Sequence, residues 1–412
     1  MESKKNTAGW TITICALGVN LVFGLLYAWS VIKKALVESG WSNTDASLPF
    51  TVSAAVFALV MVFAGRAQDK IGPRYIAMLG GLLLGLGLIG SRFATTPLQM
   101  VITFGLLGGI GIGFGYSATT PCAIKWFDSG KRGLISGIVV SGVGLAPVYG
   151  APLADYLLRQ FRSAQASPVR LETSGLPETF TVLGAMSIGI VFFFSLFLRN
   201  PPEPVGTPKN AAAKKAPPAA GNYDWTSLLR MKPFYLLWLL YLLTATAGLM
   251  LIGHMATIAS TQAKWQAGFL LVVILSIFNA LGRVLGGILS DKIGRTSAMM
   301  LVFAIQAANM FSFTYFTSVP LLALGAAVAG SAYGALFSLF PATTADFFGV
   351  KNLGVNYGLV FTGWGVAAIV GPILGGIAVD KTGSYTISYL TAGVLLVLGI
   401  FLVRAIKTVQ KA

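Results

Sequence analysis

Twelve apolar stretches, each about 20 residues long, recur along this chain, and no other feature limits its possible folds so severely. They fall near residues 10–32, 48–68, 76–94, 97–120, 134–157, 176–198, 233–255, 265–290, 297–318, 320–342, 355–379 and 384–405. In a hydrocarbon layer every backbone polar group needs an internal partner, so a spanning segment is either an α-helix or a strand of a closed barrel. These runs are continuously apolar, without the alternation that barrel strands show over roughly ten residues, and they read as helices. The expected fold class is all-α integral membrane, with twelve transmembrane helices. A soluble globular chain carries charge on about a quarter of its residues. Here 55% of residues are hydrophobic and 10% charged, which excludes that class.

The net charge of +16 would point to nucleic acid in a soluble protein. In this chain the basic residues sit in the short connections, where they report orientation, and no nucleic-acid partner is expected. With the N-terminus in the cytoplasm, 20 lysines and arginines fall on the inner side and eight on the outer, Arg283 alone being left inside a span. Both termini are therefore expected in the cytoplasm of a multi-pass protein of the cell inner (plasma) membrane. Lys4 and Lys5 precede a first apolar run with no small-residue cleavage site after it, so that run reads as a retained span. Cys15 and Cys122 have no metal-ligand spacing and read as small hydrophobes, and neither a metal nor a cofactor is expected.

Residues 201–224 hold Pro201, Pro202, Pro204, Pro208, Pro217 and Pro218 among alanines and lysines, the composition of a flexible linker. The expected domains are an N-terminal six-helix bundle at 1–198, a cytoplasmic linker at 199–232 and a C-terminal six-helix bundle at 233–412. The two halves repeat one another. GRAQDKIGPR at 65–74 returns as GILSDKIGRT at 287–296, an offset of 222 residues. Gly133, Leu134, Pro147, Gly150 and Asp155 return as Gly358, Leu359, Pro372, Gly375 and Asp380, an offset of 225. Two registers that agree this closely mark a duplication, and hence two pseudo-symmetric bundles related by an axis along the membrane normal.

Arg283 lies in the run at 265–290, about 12 Å along the helix from its charged end at Asp291, close to the middle of a core about 30 Å thick. An ionisable group at that depth is expensive and marks a candidate site. Asn279 stands one turn earlier on the same face. A guanidinium in such a place suits a carboxylate, which it holds through a planar two-pronged fork. The 13 acidic residues all lie in connections or near helix ends, and none stands in sequence beside Arg283. His254, the only histidine, is near the outer end of the seventh run and is the candidate proton-coupling or gate residue.

The repeated motif resembles the major facilitator superfamily, whose connections between spans two and three and between eight and nine carry a G-x-x-x-D-x-x-G-x pattern. Gly65, Asp69, Gly72 and Arg74 match one copy, and Gly287, Asp291, Gly294 and Arg295 the other. These glycines allow a tight turn, while the charged residues engage helix ends and release them as the protein opens. Asp69, Arg74, Asp291 and Arg295 are thus the candidate conformational residues. Within the superfamily, WFDSGKRGLISGIVVSGVG at 126–144 and Arg283 in span eight resemble the monocarboxylate transporter family and the related oxalate/formate exchangers.

That resemblance implies the major facilitator fold and a secondary transporter, not an enzyme, that works by alternating access and functions as a monomer. It implies a small monocarboxylate such as lactate or pyruvate, moved together with a proton, and Arg283 as the carboxylate-binding residue. Spans one, four, five, seven, eight, ten and eleven line the cavity in that architecture. They supply Tyr27, Tyr116 and Tyr333 as candidate hydroxyl donors and Leu145, Phe337 and Phe361 as candidate walls, with Asn279 as hydrogen-bond partner. Two departures stand out. Where lactate-type members often have an acidic residue one turn before the arginine, this chain has Asn279. Where oxalate exchangers have a second cation in span eleven, it has Trp364. One cation predicts one carboxylate, although exchange of anions and a transporter-like membrane sensor stand as alternatives.

Overall fold

The computed structural model describes residues 2–162, 171, 174–202, 222–252, 254–265 and 267–409. Among them are twelve helices long and apolar enough to cross a membrane. Spans one to six are Thr7–Glu38, Thr44–Ile71, Pro73–Ser91, Pro97–Ile124, Ser129–Phe161 and Leu176–Ser195. Spans seven to twelve are Lys232–Ile252, Phe269–Ile293, Arg295–Phe313, Val319–Phe348, Leu353–Val379 and Thr386–Ile406. Several helices outrun their apolar windows. Span ten continues to Phe348, whose ring is 1% exposed, because packing sustains the helix beyond the stretch that hydropathy marks. Span seven instead stops at Ile252, and a separate short helix, Met255–Gln262, follows it.

The helices form two compact units. The first comprises Met1–Ala123 and Gly142–Asn200, the second Ile124–Ser141 and Pro201–Ala412. Residues 124–141, expected in the first bundle, pack with the second. Gly133 and Gly137 let the start of span five meet span eight at backbone distance: a Cβ on Gly137 would lie 2.9 Å from the Cα of Val284. Most of the proline-rich linker, residues 203–221, lies outside the described residues. Its end is tied within the second unit, where the Asn352 and Asn356 side chains donate to the Tyr223 carbonyl at 3.1 and 3.0 Å.

In the first unit spans three and four approach through glycines, a Cβ on Gly80 falling 2.5 Å from the Gly115 nitrogen. Span four opens with the α-helical turn Pro97–Met100 and continues as a π-helical stretch, Val101–Gly108, where Trp29 stacks on Phe104 with ring centroids 4.2 Å apart. In the second unit spans eight and ten meet backbone to backbone. Gly282 and Gly286 of one face Ser331 and Ala335, and Gly330 and Gly334 of the other face Leu275 and Asn279. Two small residues four apart on each helix are the pattern that permits closest approach in a membrane. A side chain at any of the four positions would collide across the contact.

Candidate functional site

This glycine contact between spans eight and ten carries Arg283 to the face of the span-ten aromatics. The arginine is 1% exposed. Its Nε donates to Asn279 Oδ1 at 3.0 Å, one turn back on the same helix, and its Nη1 donates to the Val140 carbonyl at 2.5 Å. The guanidinium carbon lies 4.4 Å from the centre of the Phe337 ring, a cation–π contact. Among the described residues no carboxylate pairs with Arg283, and its Nη2 makes no hydrogen bond. A guanidinium has five N–H donors. Here two are used, leaving both Nη2 protons and one on Nη1, enough for an end-on fork to a carboxylate. The Asn279 Nδ2 amide also makes no hydrogen bond among the described residues, so a second donor adjoins the first.

A buried charge without a counter-charge is costly. A neutral amide, a carbonyl and a ring face offset part of that cost, and an anion would offset more. Phe337 meets Tyr333 edge to face with centroids 5.3 Å apart, and Phe361 stacks on Trp364 at 4.9 Å. Trp364 Nε1 donates to the Tyr333 hydroxyl at 2.8 Å, which fixes the orientation of that phenol. Arg283, Asn279, Tyr333, Phe337, Phe361 and Trp364 therefore form one cluster: a single cation with its donors inside an aromatic frame. In the sequence Trp364 marks only the absence of a cation; its spacing of three from Phe361, one helical turn, is the signal of its place in the frame. Val140 offered none, because it contributes a carbonyl that any residue has.

Tyr27, Tyr116 and Leu145 belong to the other compact unit. Tyr27 is half-buried in the 3-10 turn Gly24–Ala28 of span one. Tyr116 is 2% exposed and packs edge-on against Phe57 at 5.4 Å, a core position. Leu145 is 39% exposed. The same unit holds a buried polar pair that hydropathy concealed, Thr119 Oγ1 donating to Asn20 Oδ1 at 3.1 Å. His254 caps the short helix after span seven.

The second motif copy is heavily engaged. Asp291 accepts the backbone N–H groups of Gly133 and Leu134, at the start of helix Arg132–Phe161, at 2.9 and 2.7 Å. A carboxylate there meets the positive end of the helix dipole. Arg295 bonds Asp291 at 2.5 Å, Asp346 at 2.7 Å and the Ser290 hydroxyl at 2.6 Å, while Arg132 bonds Asp346 at 2.7 Å. In the first copy Arg74 is half-buried and makes no hydrogen bond or ion pair among the described residues.

Twelve apolar helices, a duplicated loop motif and a buried cation define a multi-pass membrane protein of the secondary-transporter class. The family model described as Major Facilitator Superfamily matches residues 9–313 and 258–411, and the chain belongs to that superfamily. The oxalate:formate antiporter of Oxalobacter formigenes is 27% identical over 388 residues, covering 92% of this chain and 87% of its own. Human monocarboxylate transporter 12 is 27% identical over 422 residues, covering 97% of this chain and 80% of its own. A crystal structure of the Escherichia coli fucose:proton symporter FucP shares the fold, with a TM-score of 0.74 at 12% identity over 96% of this chain and 98% of that one.

Proposed function

We propose that this protein is a secondary transporter of small monocarboxylates, lactate- or pyruvate-like, which it moves together with a proton by alternating access. The observation that carries this reading is Arg283, buried in the second unit and, among the described residues, with no paired carboxylate and with unused donors beside those of Asn279. A carboxylate suits the guanidinium fork, and a 2-hydroxy or 2-oxo oxygen suits the neighbouring amide. The aromatic frame of Tyr333, Phe337, Phe361 and Trp364 supports a small organic tail and offers no second cation among the described residues. That favours one carboxylate over two. The relative named for monocarboxylates supports the same substrate class, and the one named for oxalate and formate supports small carboxylates more broadly.

Moving a lone anion into a negative interior costs about 2.3 kcal/mol per 100 mV, and a co-transported proton removes that cost. The excess of basic residues in one set of connections supports both termini in the cytoplasm of an inner (plasma) membrane protein. The chain then acts as a monomer, since it holds both halves.

The test is uptake of labelled lactate into proteoliposomes, with and without an inward proton gradient, for the intact protein and for Arg283→Lys. Gradient-stimulated uptake is expected in the first and its loss, tenfold or more, in the second, because a point charge cannot reproduce the fork. Unchanged uptake by Arg283→Lys would remove the centre of this reading. Uptake that required a trapped counter-anion and ignored the gradient would replace symport with exchange.

A further inference from the structure

The break in span seven separates the helix Met255–Gln262 from the rest of the span, and side chains clamp that segment at both ends. At its far end, Gln262 Nε2 donates to the carbonyls of Phe313 and Phe316 at 2.7 and 2.9 Å. Its Oε1 accepts from the Tyr389 hydroxyl of span twelve at 3.0 Å. At the near end, His254 is the capping residue, with non-helical backbone at φ −119° and ψ 3°. Its Nε2 lies 3.2 Å from the carbonyl oxygen of Pro372 in span eleven, and its Nδ1 lies 3.5 Å from the Tyr385 hydroxyl of span twelve. Gly375 makes room for the ring: a Cβ there would stand 3.0 Å from both Cδ2 and Nε2 of the imidazole. Both clamps join the same segment to its neighbours. Only the clamp at His254 can change charge near neutral pH.

We propose that His254 is the proton-binding site of this transporter, and that its protonation tightens the hold of the Met255–Gln262 segment on spans eleven and twelve. The inference rests on the reading of the chain as a proton-coupled carrier, and it names the group that takes the proton. In the neutral state with the proton on Nε2, the ring donates to the Pro372 carbonyl and accepts at Nδ1 from Tyr385. Adding a proton at Nδ1 leaves the Nε2–H bond in place and makes it charge-assisted, which strengthens it. The new Nδ1–H then points at the Tyr385 oxygen, whose own hydrogen rotates away. Removing the Nε2 proton instead would set two acceptors face to face. The titratable group facing His254 is Tyr385, with Tyr389 the next ring along span twelve at 6.3 Å from it. Span eleven presents a carbonyl and glycines, and among the described residues no acid or charged base contacts the imidazole. Arg283 and His254 thus divide the work, the first facing the anion and the second taking the proton.

The chain has one histidine, so protein without a histidine tag, grown on ring-labelled histidine, gives the Nδ1 and Nε2 signals of a single imidazole in nitrogen NMR. The expected result is a neutral form protonated at Nε2 that titrates between pH 5 and 8, with a midpoint that moves in Tyr385→Phe and stays in Gln262→Leu. Uptake by His254→Gln, which keeps a donor for Pro372 without a titration, should lose its pH dependence. A signal that does not titrate in this range, or a His254→Gln variant with the intact protein's pH profile, would overturn the proposal. The NMR titration needs no substrate. A titrating imidazole in a protein that takes up no monocarboxylate would therefore sink the substrate reading and leave this one standing.

Discussion

The two copies of the loop motif share glycine, aspartate, lysine, isoleucine and glycine in register, yet they are put together differently. Both turn through a left-handed glycine, Gly72 at φ 102° and Gly294 at φ 88°, where any other residue would be strained. In the second copy the next residue is Arg295. As the first residue of its helix it reaches Asp291 and Asp346, with its side chain only 8% exposed. In the first copy that place is Pro73, and the arginine comes one residue later at Arg74. One residue along a helix is a rotation of about 100°, so Arg74 faces elsewhere. Beside Asp69 the first copy has Gln68, fully buried with both amide atoms unpaired among the described residues, where the second has Ser290 bonded to Arg295. A match of residue types does not guarantee a match of contacts when the register slips by one.

The largest expected effect is at the engaged copy. Arg295→Gln should cost about 3–5 kcal/mol of stability, because it leaves two carboxylates in a mostly buried network without their shared partner. Arg74→Gln should stay within about 0.5 kcal/mol. Thermal melting of the purified variants in detergent compares them, and equal losses would erase the distinction. Next comes a test of register itself. Arg295→Pro combined with Thr296→Arg gives the second copy the first copy's order, and should melt close to Arg295→Gln although its arginine count is unchanged. A double variant as stable as the unaltered protein would show that the one-residue shift is harmless. The smallest effect concerns the neighbouring polar groups. Gln68→Leu should raise stability by about 1 kcal/mol by removing an unsatisfied buried amide, while Ser290→Ala should lower it by a similar amount. Opposite shifts in the same melting assay support the comparison, and shifts of one sign count against it.

Much of the architecture was legible before any coordinates. Apolar runs of bilayer length gave the spans, because the membrane leaves hydropathy almost no competitor as a signal. Arg283 and Asn279 were legible for a related reason: a charge in such a run is conspicuous, and a spacing of four puts a partner on its face. Other features depended on groups distant in the chain. Trp364 matters through Tyr333, 31 residues away on another helix. The Val140 carbonyl matters through a backbone atom with no residue-type signature. The short helix Met255–Gln262 was hidden because it lies beyond the seventh apolar run, which ends near residue 255. Residues 124–141 went to the second unit because Asp291 and the small residues of span five act together, a pairing across 157 positions that local sequence does not display.

The glycine contact between spans eight and ten has a consequence for how the site can be inherited. Gly282, Gly286, Gly330 and Gly334 fix the spacing of the two backbones, so the address of the guanidinium is set by atoms that no exchange of ring side chains disturbs. Exchanging Tyr333 or Phe361 leaves that spacing intact, whereas exchanging Phe337 also removes the ring that faces the charge at 4.4 Å. In the proposed site the fixed part is then the four positions that have no side chain, and the outer rings around Arg283 are its vocabulary for change.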